Sequence, residues 1–301
     1  MISIYIVVLN WNGSDDTASC LESLSKVKEK GFEKTVVVID NASSDNSVGQ
    51  ISKAFPKIKI IKNARNLGFA GGNNVGIEYA MKKGADYVLV LNNDTVVKAD
   101  FLEHLLTSFS DSQVGMVCPK IYFAKGHEFH KKRYRSSELG NVLWAVGGKI
   151  DWKNVYATNQ GVDEVDKGQY DKVAEVNFAP GACVLISRKL LETVGTFDEK
   201  YYLYFEDTDQ AVRANRAGFR VVYEPKAVIW HKVAGSSAIG SDLNDYFITR
   251  NRLLFGMRYG SLRAKIALGR ESIKMLLQSR PWQKRGVLDA YAGRFGRGSW
   301  K

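Results

Sequence analysis

Apolar residues in the first third of this chain come in short unbroken runs, and each run stops at Asn, Asp or Lys-Asn. Residues 4–9 (Ile-Tyr-Ile-Val-Val-Leu) stop at Asn10, and 35–39 stop at Asp40. Residues 58–62 lead to Asn63, and 87–91 (Tyr-Val-Leu-Val-Leu) lead into Asn92-Asn93-Asp94. Runs of this length read as strands buried on both faces, as in a parallel sheet. Between them the spacing is helical. Residues 14–30 carry capping Ser14, Asp15 and Asp16 and set Leu21, Leu24 and Val27 on one side, and 71–83 form a second helix. Alternating strand and helix predicts an α/β fold, a parallel sheet with helices on both faces.

Further along, helices are expected over 100–109, 189–194 and 207–217, the last stopped by Gly218. Strands are expected over 115–121, 182–187, 221–223 and 227–230. Residues 123–172 lose periodicity, which marks a functional or mobile segment. After Gly235-Ser236-Ser237 the pattern turns helical, so the chain divides into a body, 1–235, and an extension, 236–301. Within 261–278, Leu262, Ile266, Ile273, Leu276 and Leu277 share one face, with Arg263, Arg270 and Lys274 beside it. That is an amphipathic basic helix, weakened at Gly269.

Composition sharpens this division. With 301 residues, 45% hydrophobic and 25% charged, the chain is ordinary for a soluble globular protein. The net charge of +11 is confined to the end: residues 246–301 hold thirteen Lys and Arg against two acids, and the rest is neutral. A neutral body with a basic tail points to an anionic surface as partner. Cys20, Cys118 and Cys183 are odd in number and far apart, which suits reduced thiols and no zinc site. The first nine residues lack a basic n-region and a cleavage site, and no run approaches the roughly 20 apolar residues of a spanning helix. A cytoplasmic protein is expected.

Candidate chemistry sits at the strand ends, because ligands of open α/β sheets bind outside the carboxyl edge. Asn92, Asn93 and Asp94 offer oxygens and one charge, suited to Mg or Mn, or else merely end a strand in a turn. Asp40 either accepts a hydrogen bond from a base or ribose, or caps the segment after Ser43. The Gly-rich stretch 66–76 either approaches a phosphate or packs a helix tightly on the sheet. It is neither a dinucleotide fingerprint nor an NTPase loop. Glu206, Asp207 and Asp209 crowd three carboxylates at a helix start flanked by Tyr201, Tyr202, Tyr204 and Phe205. A solvated acidic turn is one reading. A partly desolvated carboxylate with raised proton affinity, suited to general base work, is the other. His231 closes a strand, as a ligand or as a structural residue. His127 and His130 read as surface residues.

The order of these motifs carries more than any one of them. Strand–Asn10, strand–Asp40-Asn41-Ala42-Ser43-Ser44-Asp45, the 66–76 glycine stretch, Leu91-Asn92-Asn93-Asp94, Glu206-Asp207-Thr208-Asp209 with Arg213, and Trp230-His231 together resemble the family 2 glycosyltransferases of the GT-A fold. The likeness covers about residues 2–235, and Tyr246-Phe247-Ile248-Thr249-Arg250-Asn251-Arg252 resembles the rhamnosyltransferase-like subgroup of cell-surface polysaccharide synthesis. The resemblance implies a mixed, mainly parallel sheet with 123–172 on the acceptor side, and inverting transfer of a sugar to a saccharide or polyprenyl-diphosphate-linked acceptor. The donor would be a dTDP- or UDP-sugar. It implies that Leu9, Asn10, Asn12, Asp40, Arg65, Asn74, Asn92 and Asn93 hold the nucleotide. Asp94 and His231 would hold a divalent metal, Mg or Mn, and Asp207 with Glu206 would form the catalytic acidic pair. Asn92 departs from the family's metal motif by removing one charge. A lipid-linked acceptor would suit a peripheral position at the inner face of the membrane, reached through 246–301. A second subunit or the body itself could instead cover the apolar face of 261–278. The rival readings are a sugar-phosphate nucleotidyltransferase, which would need a basic Gly-rich loop after the first strand, and a nucleic-acid-binding protein, which would leave the acidic clusters without purpose.

Overall fold

The computed structural model describes residues 1–233 and 240–300. Its centre is a ten-stranded sheet. Strands β1 (Ile2–Asn10), β2 (Phe32–Asp40), β3 (Lys59–Lys62) and β4 (Tyr87–Asn92) pair in parallel in the order β4-β1-β2-β3. Val7, Val8, Val37, Val38, Val88, Leu89 and Val90 are fully buried, as their unbroken runs require. Helix α1 (Ser14–Ser25) covers one face, joined by α2 (Ser47–Ala54), and α3 (Gly68–Lys82) covers the other.

The glycines of α3 answer the choice left open for the 66–76 stretch. A Cβ at Gly76 would lie 2.3 Å from Val7 Cγ1, and one at Gly72 would lie 2.6 Å from Leu9 Cδ1. They let the helix lie directly on β1, so close packing accounts for them. Helix α1 stops at Ser25 instead of reaching residue 30. Beyond Val27 the chain is charged, and it turns away with Lys28 N–H bonded to Ala99 O at 3.0 Å. Helix α2 occupies a stretch where the sequence suggested no more than a cap.

The second half breaks the parallel pattern. After β5 (Thr95–Val97) and α4 (Phe101–Thr107), β6 (Val114–Phe123) joins the sheet. The nominally irregular segment 123–172 contributes β7 (Leu143–Ala145) to β6, and a separate hairpin of β8 (Gly148–Asp151) and β9 (Tyr156–Asn159). After β10 (Ala174–Glu175), β11 (Cys183–Ser187) runs antiparallel between β4 and β6. Helices α5 (Arg188–Val194) and α6 (Glu206–Arg216) follow. The two expected strand fragments at 221–223 and 227–230 are one strand, β12 (Arg220–His231), parallel to β6. A register shift between Glu224 and Val228, around Pro225, explains why the sequence reads as two pieces. The end of β12 pairs antiparallel with β5, setting His231 opposite Thr95.

The extension holds α7 (Asp242–Tyr259), α8 (Leu262–Gln278) and α9 (Pro281–Tyr291). The expected boundary at 235/236, with Gly235, Ser236 and Ser237, lies outside the described residues. Helix α7 is buried against the body and against α9, with Tyr246, Phe247, Arg250, Asn251 and Phe255 fully enclosed. The three cysteines are buried and unbridged. Among the described residues no helix is long and apolar enough to cross a membrane.

Candidate active site

The carboxyl edge of the sheet carries two groups of polar side chains. At the ends of β1 and β2 they are closely interlocked. Asn10 is fully buried: its Nδ2 donates to Asp40 Oδ1 at 3.0 Å and Ser43 Oγ at 3.1 Å, and its Oδ1 accepts from Thr17 at 2.8 Å. Asp40 also accepts from the Ser43 hydroxyl at 2.6 Å and amide at 3.2 Å, folding the 40–43 turn as an Asx-type cap. Asn12 Oδ1 receives the Ser44 amide at 2.8 Å. Leu9 lies in register with both Ile39 and Asn92. Asn93 reaches back to Thr17 Oγ1 at 3.0 Å, tying the end of β4 to α1.

Two of the expected nucleotide contacts sit apart from this group. Arg65 is exposed in the loop before α3. Asn74 is buried in α3, with Nδ2 donating to Phe197 O at 2.9 Å and Glu199 Oε1 at 3.2 Å, and Oδ1 accepting from Phe197 N at 3.0 Å. Both ends of its amide are engaged with the 197–199 loop, which makes it a tether rather than a side chain turned to the strand ends.

The second group lines a cavity of about 340 Å³ that brings together Asn92, Asp94, Glu206, Asp207 and His231. Asp94 follows β4 and His231 ends β12. The β5–β12 pairing and a bond from Lys232 N to Asp94 O at 2.9 Å set them face to face, with His231 Nε2 3.0 Å from Asp94 Oδ1. Both are buried, and the Trp144 ring packs edge-on against the imidazole at 4.6 Å. Asn92 Nδ2 lies 3.5 Å from His231 Nε2. One carboxylate, one imidazole and a neighbouring amide make a donor set for Mg or Mn. The 3.0 Å between His231 Nε2 and Asp94 Oδ1 is an ion-pair contact, so a cation held by these residues would take the place of that contact. No cluster of three or more acidic, His or Cys ligands exists among the described residues. A cation here would therefore complete its shell with water and substrate phosphate, the usual habit of Mg-type sites.

Across the cavity, Asp207 stands in the first turn of α6. Its Oδ2 accepts from Gly181 N at 2.9 Å, and its Oδ1 accepts from Thr208 N at 2.6 Å and Thr208 Oγ1 at 3.1 Å. Burial raises its proton affinity above the ordinary aspartate range, although the backbone donors pull the other way. Glu206 is driven well above the glutamate range, by burial first and then by the Asp207 charge. The aromatic flank therefore does what the sequence suggested: it keeps these carboxylates out of bulk water. Asp209 does not share the cavity. It is fully buried and accepts from Tyr201, Arg213, Arg258 and Tyr259.

The loop that delivers Asp207 is held from the extension. Tyr202, Tyr204 and Phe205 all have left-handed backbones, with φ of 66°, 68° and 73°. Asn251 of α7 donates from Nδ2 to the carbonyls of Tyr201, Leu203 and Tyr204 at 2.7–2.8 Å. The Arg250 guanidinium adds bonds to Lys200 O and Tyr201 O, and its Nε fixes the Asn251 amide at 3.0 Å. Sequence reasoning noticed this Arg-Asn pair only as a point of resemblance. Their burial, which the structure shows and the sequence does not, is what marks a supporting role. Trp144 and Asn159, from the aperiodic segment, also line the cavity and were not singled out.

Comparison with known proteins identifies the fold and the family. Over 241 residues the chain is 27% identical to the N-acetylglucosaminyl-diphospho-decaprenol L-rhamnosyltransferase of Mycobacterium tuberculosis, spanning 77% of this chain and 76% of that one. It is 21% identical to the dTDP-rhamnosyl transferase RfbF of Shigella flexneri, over 84% of this chain and 79% of the relative. Among solved structures, the mannosyltransferase PcManGT of Pyrobaculum calidifontis, in complex with GDP-Man and Mn2+, superposes with a TM-score of 0.56 at 16% identity, covering 96% of this chain and 74% of that one. TarS of S. aureus in complex with UDP-GlcNAc gives a TM-score of 0.60 at 16% identity, covering 96% and 79%. The fold is thus of the GT-A type, a mixed and mainly parallel sheet flanked by helices with a helical C-terminal segment. The family model for glycosyl transferase family 2 matches residues 3–195, well over half of the sequence, and the chain belongs to that family.

Proposed function

We propose that this glycosyltransferase moves a sugar, with inversion, from a nucleoside-diphosphate donor to a hydroxyl of a saccharide, free or carried on a polyprenyl diphosphate. The observation that carries this reading is the shared cavity: a half-buried carboxylate of raised proton affinity, Asp207, and the Asp94–His231 pair line the same space. Asp207 takes the acceptor hydroxyl's proton as that oxygen bonds to the anomeric carbon and the bond from that carbon to the diphosphate breaks. Asp94 and His231, with Asn92, would hold Mg or Mn, which when bound neutralises charge on the departing diphosphate. Base and ribose would lie over Leu9, Asn10, Asn12 and Asp40 at the ends of β1 and β2, with Arg65 reaching in from its exposed loop. The names of two relatives favour rhamnose, and RfbF favours a dTDP donor. Membership of a glycosyltransferase family favours this reading over the nucleotidyltransferase one.

The test is a transfer and hydrolysis screen over dTDP-, UDP- and GDP-sugars with Mg or Mn, run on the wild type and Asp207→Asn. The variant should lose turnover by about 10²–10⁴-fold, the usual worth of general base assistance, while keeping its affinity for the donor nucleotide. Transfer by Asp207→Asn at near wild-type rate would remove Asp207 from this role.

A further inference from the structure

Helix α8 rests on the protein by one leucine and two small side chains. Ala264, Leu268 and Ser272 are buried beneath it. Its opposite face was expected either to meet an anionic membrane or to find cover on the body or on a second subunit. The body does not supply it: Leu262 is 75% exposed, Ile273 64% and Leu277 72%, with Ile266 and Leu276 also open. At 100° per residue these five fall within one narrow outward stripe. Arg263, Arg270 and Lys274 run along one side of the stripe and Lys265 stands on the other. The only acid of the helix, Glu271, points away from the stripe and is paired with Arg252 at 2.8 Å. Next to it, α9 exposes Leu288 and Tyr291, and the Tyr291 hydroxyl is bonded to Ser272 of α8 at 3.2 Å. Tyr291 and Leu288 thus add exposed apolar side chains on the helix that packs beside α8.

We propose that the outer face of α8 and α9 is a docking surface for an anionic lipid bilayer, with α8 lying in the plane of the headgroups. The apolar row enters the acyl boundary, and Arg263, Arg270, Lys274 and Lys265 meet lipid phosphates on both sides of it. Charge selects this occupant. A second copy packed by two-fold symmetry would bring basic rows against each other with no acid to pair them. A nucleic acid would leave five aliphatic side chains against water and phosphate. A seventeen-residue helix is about 25 Å long, enough to lie along a surface. The extension thereby does two jobs on opposite sides: α7 braces the catalytic loop, and α8 with α9 faces the membrane. This assignment rests on the surface alone and stands or falls separately from the sugar chemistry.

The experiment is flotation of the full chain with vesicles of pure phosphatidylcholine or of phosphatidylcholine mixed with phosphatidylglycerol, at low and high salt. Binding is expected to the mixed vesicles, weakened by salt, and much weaker to the neutral ones. Ile266→Ser/Ile273→Ser changes two exposed side chains, so the fold should survive. It should bind mixed vesicles at least about tenfold more weakly, from the transfer energy of two aliphatic side chains. Arg263→Glu/Arg270→Glu should abolish the difference between the two vesicle types. Circular dichroism and hydrolysis of a soluble donor check that the variants are folded. Failure to bind mixed vesicles, equal binding to both types, or unchanged binding by the double Ile variant would each overturn the proposal. A concentration-dependent dimer disrupted by the Ile variant, without vesicle binding, would give the stripe to a second copy.

Discussion

Replacing Asn251 with Ala tests whether the extension sets the catalytic geometry. The side chain lies more than forty residues from Asp207 in sequence, and its contacts are backbone carbonyls, so a role in chemistry would come only through position. Three left-handed residues in the 202–205 loop cost about 1–2 kcal/mol each, or roughly 3–6 kcal/mol together. Against this stand the Asn251 bonds to Tyr201, Leu203 and Tyr204. Tyr201 O would keep the Arg250 guanidinium, but the Leu203 and Tyr204 carbonyls would lose their amide donor, at about 1–3 kcal/mol each. The two sums are comparable, so the loop without Asn251 should relax toward ordinary backbone angles and carry Glu206 and Asp207 with it. The expected loss of stability is about 2–4 kcal/mol. A shift near 1 Å at the base corresponds to about a 100-fold loss of turnover. The assay pairs steady-state transfer with calorimetry of the donor nucleotide: kcat should fall while nucleotide affinity changes little. Asn251→Asp, which keeps the shape but sets a carboxylate against three carbonyls, should be at least as damaging. A folded Asn251→Ala enzyme with wild-type kcat would show that the loop holds its own conformation.

Glu206 makes stability depend on pH. Its folded proton affinity is raised, so the unfolded chain ionises it first, and stability should fall as pH climbs from the ordinary glutamate range toward the raised value. Glu206→Gln should flatten the profile of Tm against pH across that window and be the more stable protein at its upper end; parallel profiles would contradict the assignment. Asp94→Ala should abolish any Mn-dependent gain in donor affinity measured by calorimetry, and His231→Ala should weaken it; unchanged titrations would put the cation elsewhere. Gly68→Ala forces a side chain onto a backbone at φ +73°, with its Cβ 2.5 Å from Tyr202 O. It should cost more than about 1 kcal/mol in urea unfolding, because both strain and clash must be relieved. Wild-type stability would show that the start of α3 and the Tyr202 loop are not locked together.

What could be read from the residues alone was local. A run such as 87–91 followed by Asn-Asn-Asp states both a buried strand and a polar strand end, and strand ends of a parallel sheet converge. Asn10, Asp40 and Asp94 were therefore visible as neighbours of one edge. The meeting of Asp94 with His231 depends on β5, three residues long and too short to show a period. Asn74 looks, in sequence, like any polar residue near a Gly-rich helix start, and only the path of 197–199 reveals that its amide is engaged. The α8 stripe was legible as periodicity. Which face turned inward was not, because the helix seats itself on Leu268 between Ala264 and Ser272, while the larger apolar group faces out.

The irregularity in β12 has a consequence for how this gene can change. Between Glu224 and Val228 the strand advances three residues with no partner on β6, and this offset sets which way every later side chain points. Most loops tolerate a lost or added residue. Here a single deletion among 225–227 must either be taken up within those three unpartnered residues or pull His231 one place along β5 and turn it to the other side of the sheet, leaving Asp94 without its imidazole although no residue near the cavity had been touched. Where such a change does move His231, it should lower Mn-dependent donor binding by as much as His231→Ala does.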